Sequence, residues 1–203
     1  PYMATFLKHQ QEFGGANRVL VAVMSRNGDM FTPQFFEVLK DVTDEVFFLP
    51  GVDRGRVQSL FTPNVRYTEV VEDGIAAGNV IPDDFSTTPE GLEAVRRNIL
   101  KAGIVGRLVA NDMRSSIVEF PIFDKDPITG KQLDYHAFSQ ELETRVRERF
   151  QDDSVSIHIV GFAKIVGDLL EGVTAIFLFA LGTIVFPSVL LFLYTRALWS
   201  TVA

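Results

Sequence analysis

The chain has 203 residues, enough for one ordinary domain or for one domain plus a membrane element. It is 47% hydrophobic and 22% charged, with a net charge of −7 and a pI near 5.0. That composition excludes a disordered chain and argues against a nucleic-acid surface, and the absence of cysteine excludes a disulfide framework, a thiolate metal site and a cysteine nucleophile.

The chain opens Pro1-Tyr2-Met3 without a targeting pattern. Residues 17–24, NRVLVAVM, put apolar side chains on both faces, which predicts a strand buried on both sides. Arg26-Asn27-Gly28-Asp29 supplies a turn. Thr32-Pro33 reads as an N-cap followed by proline at the first helical position. Phe35, Leu39, Val42 and Val46 then share one helical face until Pro50-Gly51. Residues 57–61 and 65–71 read as extended, separated by Pro63-Asn64, and the glycine-containing stretch 74–86 reads as a connection.

Thr88-Pro89-Glu90 starts a second helix with Leu92, Val95 and Ile99 as its stripe and Gly103 as its C-cap. Residues 107–110 and 116–122 flank Asn111-Asp112-Met113-Arg114 as a predicted hairpin, with Pro121 confined to an edge or a strand end. A third helix follows the cap Asp134, with Tyr135, Phe138, Leu142, Val146 and Phe150 at spacings of three and four. Glu141/Arg145 and Glu143/Arg147 fall four apart on its wet side. Val155, Ile157 and Ile159 alternate with Ser156 and His158 as a half-buried strand.

The order β-α-β, inserted helix, β-β-α-β is the ferredoxin-like, split-βαβ pattern of an α+β domain. Its first strand is central and its last is an edge. Helices cover one face of such a sheet only, so a first strand apolar on both sides predicts a cover for the open face, from a second domain or a subunit.

No charge interrupts the 24 residues between Glu171 and Arg196. About 20 apolar residues cross a bilayer core, so a span is predicted at about 173–194. Tyr194 and Trp199 stand where an interfacial aromatic belt would lie, and Pro187 is expected to bend the helix near residue 183. The acidic domain, with only Arg196 beyond the span, is predicted to lie outside and the C-terminus inside. An external domain needs a membrane element before it, so the chain reads as part of a larger protein.

No enzymatic constellation is present. His9, His136 and His158 lie in unrelated segments. Gly14-Gly15 and Gly74 to Gly78 read as turns, and Asp83-Asp84 and Asp124/Asp126 as solvated loop carboxylates rather than a cation site. Phe31, Phe61 and Phe85, near turns, are candidates to line an apolar cleft. Only Gly161 stands between the last strand and the helix beginning at Phe162. It is the candidate hinge, with Lys164 and Asp168, four apart and in the simplest reading a solvated pair, setting the helix's exit angle.

The phrases GGANRVLVAV, SLFTPNVRY, GNVIP, KAGIVGRLVANDMRSSIVEFPI and IHIVGFAKIVGDLLEG carry a resemblance to the first periplasmic domain and second membrane helix of resistance–nodulation–division (RND) transporters. The branch resembled is the hydrophobe-exporter one that includes MMPL and hopanoid transporters. The resemblance implies a porter domain over 1–161 and a transmembrane helix with a cytoplasmic end over 162–203. It further implies a proton-driven exporter of lipids or other hydrophobic compounds in the bacterial inner membrane, without covalent chemistry or cofactors. Its proton-carrying acids would lie on other spans. The implied partners are the lipid bilayer, the remaining spans, the second periplasmic domain, a hydrophobic substrate and, as an alternative cover, a homo-oligomeric neighbour. The competing reading is a single-pass, membrane-anchored extracytoplasmic sensor or assembly module; a membrane-anchored enzyme is disfavoured by the missing constellation.

Overall fold

A computed structural model describes residue 5 and residues 17–72, 74–125 and 130–195. In chain order the elements are β1 (Arg18–Ser25), α1 (Pro33–Phe48), β2 (Arg66–Val71), β3 (Gly74–Asn79), α2 (Pro89–Ala102), β4 (Ser115–Pro121), α3 (Tyr135–Leu142), the single turn α4 (Glu148–Phe150), β5 (Val155–Gly161) and α5 (Phe162–Thr195). A 3-10 turn at Arg54–Arg56 follows α1, and a π-helical turn, Glu143–Arg147, joins α3 to α4. The protein is thus α+β, with antiparallel sheets and one long apolar helix.

Local chemistry sets the helix ends. The Thr32 and Thr88 hydroxyls accept from the Phe35 and Gly91 N–H groups, and each is followed by proline, whose missing donor would be unpaired there anyway. Asp134 accepts from the His136 and Ala137 N–H groups at the start of α3. Gly103 closes α2 at φ 63°, a left-handed conformation that costs a residue with Cβ but not glycine.

The main sheet has the order β4-β1-β5, antiparallel throughout, so the first strand is central and the last is an edge. Val19, Val21 and Val23 of β1 are fully buried in one core with Phe35, Leu39 and Val42 of α1, Leu142 of α3 and Val146 of the π-helical turn. The opposite face carries Leu20 and Ala22, half-buried, with Met24 and Val160 exposed. Along β1 that face is apolar from Leu20 to Met24, with the Arg18–Glu119 ion pair at one end and exposed His158 on β5, and among the described residues no helix covers it.

Three sequence expectations change. The stretch expected to connect, 74–86, contains strand β3, which pairs with β2 as a separate antiparallel hairpin. GIAAGN offers little β-branched alternation, yet Gly78 lets the Tyr67 ring lie across it, where a Cβ would come within 2.8 Å of the hydroxyl. The expected strand over 57–61 shrinks to one bridge, with Gln58 and Glu119 exchanging N–H to carbonyl bonds of 2.7 and 2.8 Å. Likewise residues 107–110 contribute one antiparallel bridge, Val109 to Ser116, and the turn there places Met113 at φ 56°.

At the entry to β5, Asp152 accepts from the Ser154 hydroxyl and N–H, both at 2.7 Å, the Val155 N–H at 2.8 Å and the Gln34 amide at 2.9 Å. The Ser154 hydroxyl is the main cause holding this carboxyl below its ordinary value of 3.8, against the opposing effect of burial. A depressed folded value contributes stability above the unfolded value and loses it as pH falls through the folded one. Urea unfolding of the full chain in detergent is therefore expected to show wild type losing more stability than Asp152→Ala between about pH 5 and about pH 3.

Candidate functional site

The chain passes from sheet to apolar helix without a linker: β5 ends at Gly161 and α5 begins at Phe162. Gly161 is itself paired in the sheet, opposite Val19. It is therefore the last residue of the strand rather than a spacer between two elements, which corrects the sequence expectation. Space explains the glycine: a Cβ there would lie 2.8 Å from the Arg18 carbonyl oxygen and 3.1 Å from Val19 Cα.

The first turns of α5 are pressed against α3. Ala163 is fully buried, and a Cβ on Gly167 would lie 2.3 Å from Ser139 Cβ and 2.9 Å from the Tyr135 carbonyl oxygen. Only a residue without a side chain permits that approach.

Lys164 sits in this seam at 6% exposure. Its Nζ lies 2.7 Å from Glu143 Oε1 and also contacts Asp168 Oδ1, while the Ser139 hydroxyl donates to Asp168 at 3.3 Å. Arg147 holds the other Glu143 oxygen at 2.9 Å. Burial opposes the Lys164 charge, but the Asp168 and Glu143 carboxylates outweigh it and keep the ammonium above its ordinary value. The pair expected to be solvated is thus a three-residue node with its cation buried. Glu143 is the member sequence reasoning missed, having been assigned only to Arg147. It opens the π-helical turn, whose carbonyl accepts from the Glu148 N–H five residues on.

A second contact set adjoins it. The Asn17 amide donates to Tyr135 Oη at 2.8 Å and to Asp124 Oδ1, and the Tyr135 ring stands edge-on to Phe162 at 6.1 Å. The start of β1, the start of α3 and the start of α5 therefore meet at one end of the domain.

The three phenylalanines predicted to line a cleft converge elsewhere, around Phe36. Its ring lies 6.1, 6.3 and 5.5 Å from those of Phe31, Phe61 and Phe85. Phe36 is buried and the others partly so, making a close-packed cluster rather than an open cleft. Arg96 lies 4.0 Å over the Phe31 ring and binds Asp29 at 2.8 Å, closing the cluster's rim. Phe61 also walls two shallow depressions, of about 390 and 270 Å³, that share Thr62 and Pro63. The larger adds Phe47, Phe48 and Arg54 and is mainly apolar.

Other candidates stand apart. His158 is exposed on β5 and His136 half-buried on α3. Asp83 accepts from the Asn79 amide at 3.3 Å. Among the described residues no group of three or more His, Asp or Glu side chains could hold a metal ion. His9, Gly14-Gly15, Asp126, Arg196 and Trp199 lie outside the described residues.

Over Phe162–Tyr194, α5 is long and apolar enough to cross a membrane, with a mean hydropathy of 2.5 across its most apolar 18 residues, none of which is buried. It runs as one helix through Pro187; the Thr183 and Ser188 hydroxyls donate to the carbonyls of Ala180 and Ile184, both at 2.7 Å. The linkerless junction and the buried ion node describe a domain joined rigidly to a helix long and apolar enough to cross a membrane. Compared with known proteins, the chain matches no protein-family model and no curated protein.

Proposed function

We propose that this chain is the first extracytoplasmic porter domain and second membrane helix of a proton-driven, RND-type inner-membrane exporter of lipids or other hydrophobic compounds. The single observation carrying the reading is the passage from β5 straight into α5, with the first turns of that helix seated on α3 by Lys164, Glu143 and Asp168. A membrane anchor alone needs no such seating, since a flexible tether would hold a domain at a surface equally well. A helix that transmits movement needs it, because slack at the joint would absorb the displacement.

The strand order supports the finer description of the domain. With the Gln58 bridge counted as a reduced strand outside β4, the sheet reads 58-β4-β1-β5 with α1 and α3 on one face, the ferredoxin-like arrangement. The open face, with Leu20, Ala22, Met24 and Val160 apolar and Arg18, Glu119 and His158 at its margins, fits a covering second porter domain. The outward depression formed by Phe47, Phe48 and Phe61 gives hydrophobic cargo a surface to pass along. In this reading Gly161 and Phe162 are the pivot, and Lys164 and Asp168 hold the angle at which the helix leaves.

The test is transport by the full-length protein in proteoliposomes carrying a fluorescent lipid, with and without a proton gradient. Gradient-dependent movement is expected in wild type, and loss of at least about tenfold in Gly161→Pro, which sets proline into the paired end of β5. Movement that ignores the gradient, or a Gly161→Pro protein that transports normally, would overturn the proposal.

A further inference from the structure

The β2–β3 hairpin stands apart from the main sheet, and its two faces differ. Tyr67 and Glu69 turn toward α2, where Lys101 meets the Tyr67 ring at 5.4 Å and the Glu69 carboxylate at 2.7 Å. Arg66, Thr68 and Val70 alternate with them and pair with Asn79, Ala77 and Ile75, so these six share the outward face. At the tip Val70 is 88% exposed and Ile75, directly opposite, 78%. Glu72, beside them in the turn, is exposed and meets no cation among the described residues. Contiguous exposed apolar groups rimmed by charge mark a contact surface.

The base of the same hairpin carries the complement. Strand β2 begins three residues after Pro63, which with Thr62, Phe47, Phe48 and Phe61 walls the mainly apolar depression of about 390 Å³. Asn79, on the outward face, lines the smaller depression that shares Thr62 and Pro63, so the two hollows adjoin that face. In the larger one Asp44 is matched by Lys40 at 3.0 Å. Arg54, over the Phe48 ring, meets no carboxylate among the described residues, and neither does Arg66. The base is an apolar hollow with spare positive charge, and the tip an apolar knob with spare negative charge. From Arg66 to Val70 the strand rises about 14 Å, which keeps the tip from the hollow of its own chain. Two hairpins lying antiparallel about a two-fold axis would bring each tip to the other's base, with Thr68 and Ala77 small enough midway to allow close approach.

We propose that two copies of this chain exchange hairpin tips, each seating Val70 and Ile75 in the other's Phe48–Phe61 depression with Glu72 facing Arg54 and Arg66. Charge favours a second copy over lipid or cargo, since an acyl chain would leave Arg54 and Glu72 unmatched. The smaller depression, beyond Phe61, stays open to cargo. Neither transport nor a membrane crossing by α5 is needed for the exchange.

The native chain has no cysteine, so engineered thiols report without background. Full-length chains carrying Val70→Cys are mixed in detergent with chains carrying Asp44→Cys or Pro63→Cys, on the walls of the depression, and mildly oxidised. All three positions are exposed, so the fold tolerates the changes. Disulfide-linked heterodimers are expected at about ten times the yield obtained when the partner carries Met24→Cys on the open sheet face, because a disulfide needs Cα atoms within about 7 Å. Adding Glu72→Arg to the Val70→Cys chain should cut that yield about tenfold, and light scattering of wild type should give the protein mass of two copies. Yields no higher than the Met24→Cys control would overturn the proposal, leaving the tip to the open sheet face or to lipid. A yield unchanged by Glu72→Arg would overturn it too. So would a mass of one copy, or one above two copies, which would mean a head-to-tail ring instead.

Discussion

Phe36→Ala is expected to destabilise the domain by about 3–5 kcal/mol, the range for truncating a fully buried aromatic. Four rings meet Phe36: Phe35 edge-on at 5.9 Å, and Phe31, Phe61 and Phe85 at 5.5 to 6.3 Å. Each comes from a different part of the chain or a different turn, so the void left by alanine cannot close by moving one neighbour. The cost then includes the cavity as well as the lost transfer energy. For a domain of this size the shift in Tm should be about 8–16 °C, read by thermal unfolding of the full chain in detergent. Phe48→Ala is the matched contrast. That ring is 67% exposed and meets Arg54 at 6.0 Å, so a change within about 0.5 kcal/mol is expected. Equal effects of the two variants would show that the phenyl cluster is not a packing centre.

Lys164→Met is expected to cost about 2–3 kcal/mol. Removing one partner of a buried ion pair ordinarily costs about 3–5 kcal/mol, because the charge left behind stays desolvated. Here the figure is lower: the Asp168 side chain is 53% exposed and keeps the Ser139 hydroxyl, and Glu143 keeps Arg147 at 2.9 Å. Methionine preserves the aliphatic stem, so the loss reports charge rather than packing. Adding Glu143→Gln should recover about 1–2 kcal/mol of it, a coupling that a double-mutant cycle in urea measures directly. Strict additivity of the two substitutions would mean that the ammonium and the Glu143 carboxylate do not interact energetically.

Much of the fold is legible in the sequence because its signals are local. Thr32, Thr88 and Asp134 cap the helices they precede, and Gly103 ends its helix in the conformation that glycine alone adopts freely. The doubly apolar 17–24 run and the one-sided 155–159 run correspond to a central and an edge strand. Weak periodicity defeats the reading elsewhere. Strand β3 is built from GIAAGN, whose small residues leave no alternation to detect, and it forms because β2 and Tyr67 provide a surface to lie on. The 57–61 segment has apolar residues but lies between a 3-10 turn and Pro63, which leaves room for a single bridge.

The junction is only half legible. Gly161, Phe162, Lys164 and Asp168 are visible because they are neighbours in the chain. Glu143, Ser139 and Asn17 reach the same place from 21 or more residues away, and nothing in their local spacing announces it. Glu143 is further disguised by a sound local partner in Arg147, since a carboxylate with two oxygens can serve two cations. Phe31, Phe61 and Phe85 are recognisable as a set, but their common centre, Phe36, looks like one more member of a helical stripe.

The uninterrupted join of β5 to α5 makes chain length in residues 162–171 a matter of angle as well as distance. Each added or deleted residue would swing everything below it by about 100° about the helix axis and shift it by about 1.5 Å. A single insertion would thus present a different flank of the helix to whatever packs beside it, while the strand that feeds it kept its pose. Length variation among related chains should therefore be purged from the stalk.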